Sequence, residues 1–206
     1  MSRKKKNFLS ILLNLVIVIF TVISVVHMSV NGLDGNMAIE GLYAACYFTV
    51  DSNILCGIAS LMVILSFMFS NTPKWVVCLK LMATTAVTIT FLVVMFMLGP
   101  AMGYKLMFMG ANIYMHLLTP ILAIISFIFF DPIKSIKGKD NFYSVIPVFI
   151  YGSFYLYNVV IKKSWFDFYG FNSGTLSGLW YISYPAILLV AFLLSVVLYK
   201  LHKVCG

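Results

Sequence analysis

Six apolar runs, at about 8–30, 45–70, 75–98, 107–130, 142–161 and 178–200, constrain this chain more than any other feature. A hydrocarbon core of about 30 Å needs roughly 20 apolar residues per helix, and every run is about that long. Turn chemistry separates them: Asn31-Gly32 with Asp34-Gly35, Asn71-Thr72-Pro73, Gly99-Pro100, Asp131-Pro132 and Asn172-Ser173-Gly174. Six spans with short loops consume nearly all of the 206 residues and leave no room for a separate soluble domain. At 62% hydrophobic and 10% charged, the chain could not clothe a soluble surface in polar groups. The expected fold is an all-α integral membrane protein, one transmembrane domain over 1–206 built as a bundle of six helices.

Charge placement orients that bundle. With the N-terminus inside, the inner side holds Arg3, Lys4, Lys5, Lys6, Lys74, Lys80, Lys134, Lys137, Lys139, Lys200 and Lys203. The outer side holds only Lys105, Lys162 and Lys163. Eleven against three puts both termini on the cytoplasmic side. Asp34, Glu40, Asp167, Trp165 and Tyr169 fall in the outer loops, where aromatics suit an interfacial belt. The net charge of +8 therefore reflects helix orientation and anionic lipid, and no basic face interleaved with aromatics points to nucleic acid. The opening basic tract and 7–30 resemble a signal peptide, but the apolar part is too long and no A-x-A site follows. It is expected to be a retained first helix. Cys46, Cys56, Cys78 and Cys205 show neither metal-ligand spacing nor a disulfide pattern, and no cofactor is expected.

Inside a membrane, polar side chains turn toward the bundle interior, so their helical phase carries information. Thr49, Asn53, Cys56 and Ser60 recur at i, i+4, i+7 and i+11 on one face of the second helix, with Asp51 pointing nearly opposite. Asn112, His116 and Thr119 form a second stripe beside Pro120, and Tyr151, Tyr155 and Asn158 a third. Helices two and four both run inward, and at 1.5 Å per residue Thr49 and His116 differ in depth by only about 6–8 Å. A hydroxyl needs an adjacent base to become a nucleophile, and histidine titrates in the right range. Asn53 and Asn112 are candidates to orient the ring or to stabilise an oxyanion. The bland alternatives are real: threonine commonly bonds its own helix, and membrane asparagines commonly join helices. His27 is expected near the outer interface and His202 in a basic cytoplasmic tail.

The stretch Tyr47-Phe48-Thr49-Val50-Asp51-Ser52-Asn53-Ile54-Leu55 resembles the F-T-x-x-S-N-x-L signature of the androgen-induced/ADTRP-like membrane proteins and their bacterial relatives. The segment from Asn112 through His116 and Pro120 to Asp131-Pro132 is similar to their H-x-x-x-P … D-P helix. Trp180-Tyr181-Ile182-Ser183-Tyr184-Pro185 resembles a W-Y-P-Y-P element, broken at Ile182 and Ser183. The resemblance implies six spans with cytoplasmic ends and an intramembrane threonine hydrolase of fatty acid esters of hydroxy fatty acids or similar lipid esters. It assigns Thr49 as nucleophile and His116 as base. Ser52, Tyr181 and Tyr184 join Asn53, Asn112, Tyr151, Tyr155 and Asn158 as expected substrate-binding or orienting groups. The expected partners are membrane lipids and a lipid ester, and the expected site of action is a bacterial cytoplasmic membrane.

Two other classes fit the same polar seams. One is a non-enzymatic lipid-binding or small transport protein, although no inverted repeat or pair of broken helices marks a transporter. The other is a membrane haem protein ligated by His27 and His116.

Overall fold

The structure, a computed structural model, describes residues 2–31, 41–68, 72–132, 136–171 and 178–206. Asp34, Glu40, Asn71, Lys134 and the turn at 172–174 lie outside the described residues. The described chain is helical, with no strand among the described residues. Its elements are α1 (Arg3–Asn31), α2 (Phe48–Ser66), α3 (Lys74–Met102), the single turn α4 (Tyr104–Met107), α5 (Tyr114–Phe130), α6 (Gly138–Ile161) and α7 (Trp180–Cys205). All except α4 and the shorter α5 are long and apolar enough to cross a membrane.

Which side chains face outward makes the membrane reading physical. On α1 the buried face carries Ser10, Asn14, Ile17, Ser24 and Met28, while Leu12, Leu15, Ile19, Val22 and Val26 are exposed. On α7, Ser195 is buried and Leu189, Leu193 and Val197 are exposed. Polar inside and apolar outside is what a hydrocarbon solvent selects, because burial brings no hydrophobic gain there and polar groups must find partners. Five such helices mark a multi-pass membrane protein. Small residues then set the spacing: a Cβ on Gly57 would stand 2.8 Å from the Thr21 side chain, so α1 and α2 approach closely only because the glycine is there.

Two boundaries differ from the sequence reading. The break expected at Gly99-Pro100 does not end α3. A π turn over Val94–Leu98, closed by the Gly99 N–H on the Val94 carbonyl, precedes the proline. Pro100 then opens the helix's last segment, Gly99–Met102, where its missing N–H costs little. The chain reverses instead at Gly103, whose φ of +91° suits only glycine. The fourth apolar run, expected as one span over 107–130, is divided. Its first residues end α4, a turn at Gly110 (φ +56°) follows, and α5 begins at Tyr114. At about 1.5 Å per residue α5 covers roughly 25 Å, less than the hydrocarbon thickness.

Further π turns lie at Tyr114–Leu118, Ser126–Phe130 and Tyr157–Ile161. Such turns displace the carbonyl ladder and leave acceptors free for side chains. His202 uses two of them. Its Nδ1 lies 2.9 Å from the Phe127 carbonyl and 3.1 Å from that of Ile128, so it docks α7 on α5 instead of trailing in a basic tail.

Lys80 is the largest departure from the sequence reading. Assigned by charge to the cytoplasmic water, it is instead 1% exposed. Its Nζ donates to Asn14 Oδ1 at 2.7 Å and to Ser60 Oγ at 2.8 Å, and stands 3.9 Å from Asp131 Oδ2. Asp131 Oδ1 in turn accepts from Ser10 (2.7 Å), Asn14 (2.8 Å) and Ser126 (2.8 Å). Four helices thus close on one buried charge pair, in the half of the bundle that charge placement assigns to the inner side.

Candidate functional site

The other half, which charge placement assigns to the outer side, holds a small cavity of about 70 Å³ whose walls include Thr49, Asn112, His116, Tyr47, Met107 and Tyr169. Thr49 and His116 therefore face one space. They arrive there by different routes. Thr49 is in the first turn of α2, where backbone N–H groups lack intrahelical acceptors and the helix dipole favours negative charge. His116 sits in the π turn Tyr114–Leu118 of α5 and is 8% exposed.

The imidazole is held by the backbone. His116 Nδ1 lies 2.6 Å from the Met107 carbonyl, at the end of α4, where a helix leaves its last carbonyls free. A carbonyl only accepts, so Nδ1 carries the proton and Nε2 keeps the lone pair. No hydrogen bond joins Thr49 and His116 directly among the described residues. The geometry is a hydroxyl and a tautomer-fixed base across a shared cavity.

The asparagines divide. Asn53 donates to the Thr49 carbonyl at 2.7 Å and to the Met115 carbonyl at 3.1 Å, binding α2 to α5 with both N–H groups. It supports Thr49 from behind, and its donors are already used. Asn112 reaches the Leu106 carbonyl only at 3.5 Å and lines the cavity, so its amide remains able to donate inward.

The other expected site residues lie elsewhere. Ser52 shares a hydrogen bond with Thr90 of α3 at 3.0 Å, on the far side of α2. Tyr151 donates to the Cys46 carbonyl at 2.7 Å, and Asn158 donates to the Phe154 carbonyl while accepting from Ser164. Tyr155 donates to Asp167 at 2.7 Å and accepts the Tyr169 N–H at 3.0 Å. These three organise the outer loop instead of lining the cavity. Tyr184 donates to the Phe149 carbonyl and packs against Gly152, whose missing Cβ makes the space. Tyr181 is 58% exposed. Neither Tyr181 nor Tyr184 lines the cavity.

Two cavity groups carry no sequence signature. The Met107 carbonyl is backbone, invisible to any residue pattern. Tyr169, expected as a belt aromatic, places its hydroxyl 3.2 Å from the Phe48 N–H and accepts from it, capping α2 where Tyr47 supplies no side-chain cap. Desolvation pushes the Tyr169 phenol above its ordinary value, so it stays neutral.

No three His, Cys, Asp or Glu side chains gather in a metal-holding group among the described residues. No family model, curated protein or solved structure matches the chain.

Proposed function

We propose that this protein is a six-span membrane hydrolase of lipid esters, related to the androgen-induced/ADTRP-like family, with both termini cytoplasmic. In this reading α5 is the sixth crossing, lengthened by the turns that precede it. One observation carries the chemistry: Thr49 and His116 line the same cavity, and the Met107 carbonyl leaves Nε2 of His116 as a free base.

The steps follow from those positions. His116 Nε2 takes the Thr49 hydroxyl proton as the oxygen attacks the ester carbonyl. The imidazolium keeps its Nδ1–H on the Met107 carbonyl, which steadies the developing cation. The Asn112 amide faces the oxyanion, and the N-terminal end of the α2 dipole favours its charge. Collapse expels the alcohol, which takes the proton back from Nε2 and leaves an acyl-threonine. Water, deprotonated by the same nitrogen, then attacks the acyl carbonyl, and the acid leaves with Thr49 restored.

A cavity of about 70 Å³ accepts a reacting ester group but not its acyl chain. Met102, Leu106 and Met107 form the wall between α3 and α5, and Gly103 links their segments. Substrate entry therefore swings the α4 turn about Gly103. Purified protein should be labelled covalently at Thr49 by an active-site-directed phosphonate probe, and Thr49→Ala should abolish the label. Full labelling of that variant overturns the assignment. Lipid binding without turnover, unaffected by Thr49→Ala, would favour the non-enzymatic reading instead.

A further inference from the structure

α5 leaves a narrow apolar strip uncovered. Ile121, Ile125 and Phe129 recur at i, i+4 and i+8 and are exposed. On one side of that strip Ser126 turns to α1, where Asn14 donates to it at 3.0 Å. On the other side Ile124 and Ile128 pack into the cluster that holds Leu198 of α7. The strip is therefore the floor of a furrow, with α1 as one wall and α7 as the other. From Phe129 to Ile121 it rises about 12 Å, close to half of a hydrocarbon core of about 30 Å. One acyl chain of one leaflet matches that length.

The Phe129 end of the furrow is basic, because the start of α1 and the end of α7 come together there. His202 docks on the Phe127 and Ile128 carbonyls, and half-buried Lys6 of α1 is close enough for its charge to act on the His202 ring. Lys203 stands 4.8 Å over the ring of Tyr199, which packs on the cluster of Phe127 and Ile128. No free acid answers these cations. The first turn of α1 contains none, its dipole end adds to the positive charge, and the ion pairs among the described residues use other lysines. Asp131, whose charge also reaches His202, already accepts three hydrogen bonds and faces Lys80. A plain hydrocarbon chain would leave the cations unanswered, and a zwitterionic headgroup would bring a further cation to them. The occupant that suits both parts of the furrow carries a net negative charge at its head.

We propose that this furrow binds one anionic phospholipid of the surrounding leaflet, its phosphate at Lys6, His202 and Lys203 and one acyl chain along Phe129, Ile125 and Ile121. The lipid bridges α1 and α7 across α5. The site rests on the multi-pass membrane reading and is independent of the chemistry at Thr49.

The test is native mass spectrometry of delipidated full-length protein, titrated separately with phosphatidylglycerol, phosphatidylethanolamine and phosphatidylcholine of matched chains. Wild type should retain phosphatidylglycerol about tenfold better than the other two, the effect of one charge-assisted contact. Lys6→Gln combined with Lys203→Gln should reduce that preference to less than about twofold. Lys4→Gln combined with Lys200→Gln removes the same charge from exposed positions turned about 200° from Lys6 and His202, and should leave the preference intact. Ile125→Trp, which crowds the floor from an exposed position, should weaken retention about fivefold with helical circular dichroism unchanged. Thr49→Ala should bind as wild type does, which separates this result from the fate of the hydrolase reading. Equal retention of the three lipids by wild type, an equal loss in the two double variants, or full retention by Ile125→Trp each overturns the proposal. If the variant lacking Lys6 and Lys203 fails to fold, Ile125→Trp and the lipid preference of wild type decide it.

Discussion

The bundle contains two polar regions that solve opposite problems. In the inner half, Lys80, Asp131, Asn14, Ser10, Ser60 and Ser126 spend their donors and acceptors on one another, and α1, α2, α3 and α5 are tied together by the result. In the outer half, Thr49 and the Nε2 of His116 face a cavity, with the Asn53 amide on the Thr49 carbonyl and the Met107 carbonyl on His116 fixing their positions. A closed network stabilises and specifies packing, whereas an open one keeps reactive groups available. Charge alone points to the ion pair, whereas the proposed site is the neutral pair.

The inner region should give the largest response. Lys80→Met leaves Asp131 buried without its cation, and should cost about 3–5 kcal/mol in detergent unfolding. Lys80→Met combined with Asp131→Leu should recover most of that loss, because no charge is then stranded. A single variant as stable as wild type would break the comparison, by showing the inner pair to be dispensable.

Thr49→Ala should do the reverse. Ester hydrolysis should fall by roughly 10³-fold or more, while stability stays within about 0.5 kcal/mol of wild type. Hydrolysis assays and melting curves on one preparation would check both halves; equal turnover would remove the outer region from catalysis. Asn112→Ala should lower kcat by about 10²-fold with KM little changed, as expected for a lost oxyanion donor. A change confined to KM would make Asn112 a binding group.

Asn53→Ala is the smallest and sharpest probe. It removes the bonds to the Thr49 and Met115 carbonyls, and should cost about 1 kcal/mol of stability with a modest fall in activity. A stability loss as large as that of Lys80→Met would mean that the outer region is closed as well.

Much of the frame was legible in the sequence because a bilayer imposes simple rules. Run length marked five of the long helices, and phase set Asn53, Cys56 and Ser60 on a buried face of α2 and His116 and Thr119 on one of α5, with Asn112 buried just before it. What failed did so for identifiable reasons. Lys80 obeyed the charge count but not its assumption that lysines near helix ends meet water. Tyr151, Tyr155 and Asn158 shared a stripe, yet that stripe faces the outer loop, and helical phase does not say which neighbour a face will meet. Met107 acts through its carbonyl, and the π turns that free carbonyls arise from packing instead of composition.

The buried Lys80 also bears on how the chain is made. α3 precedes α5 along the chain, so on insertion in chain order its lysine reaches the bilayer before Asp131 does. Only Asn14 and Ser60, on the helices already delivered, can shelter it in the interval. On that order α1, α2 and α3 gather first around Lys80, and the charge pair forms when the end of α5 arrives. Assembly of this protein has an order written into it, with Asp131 as its closing step.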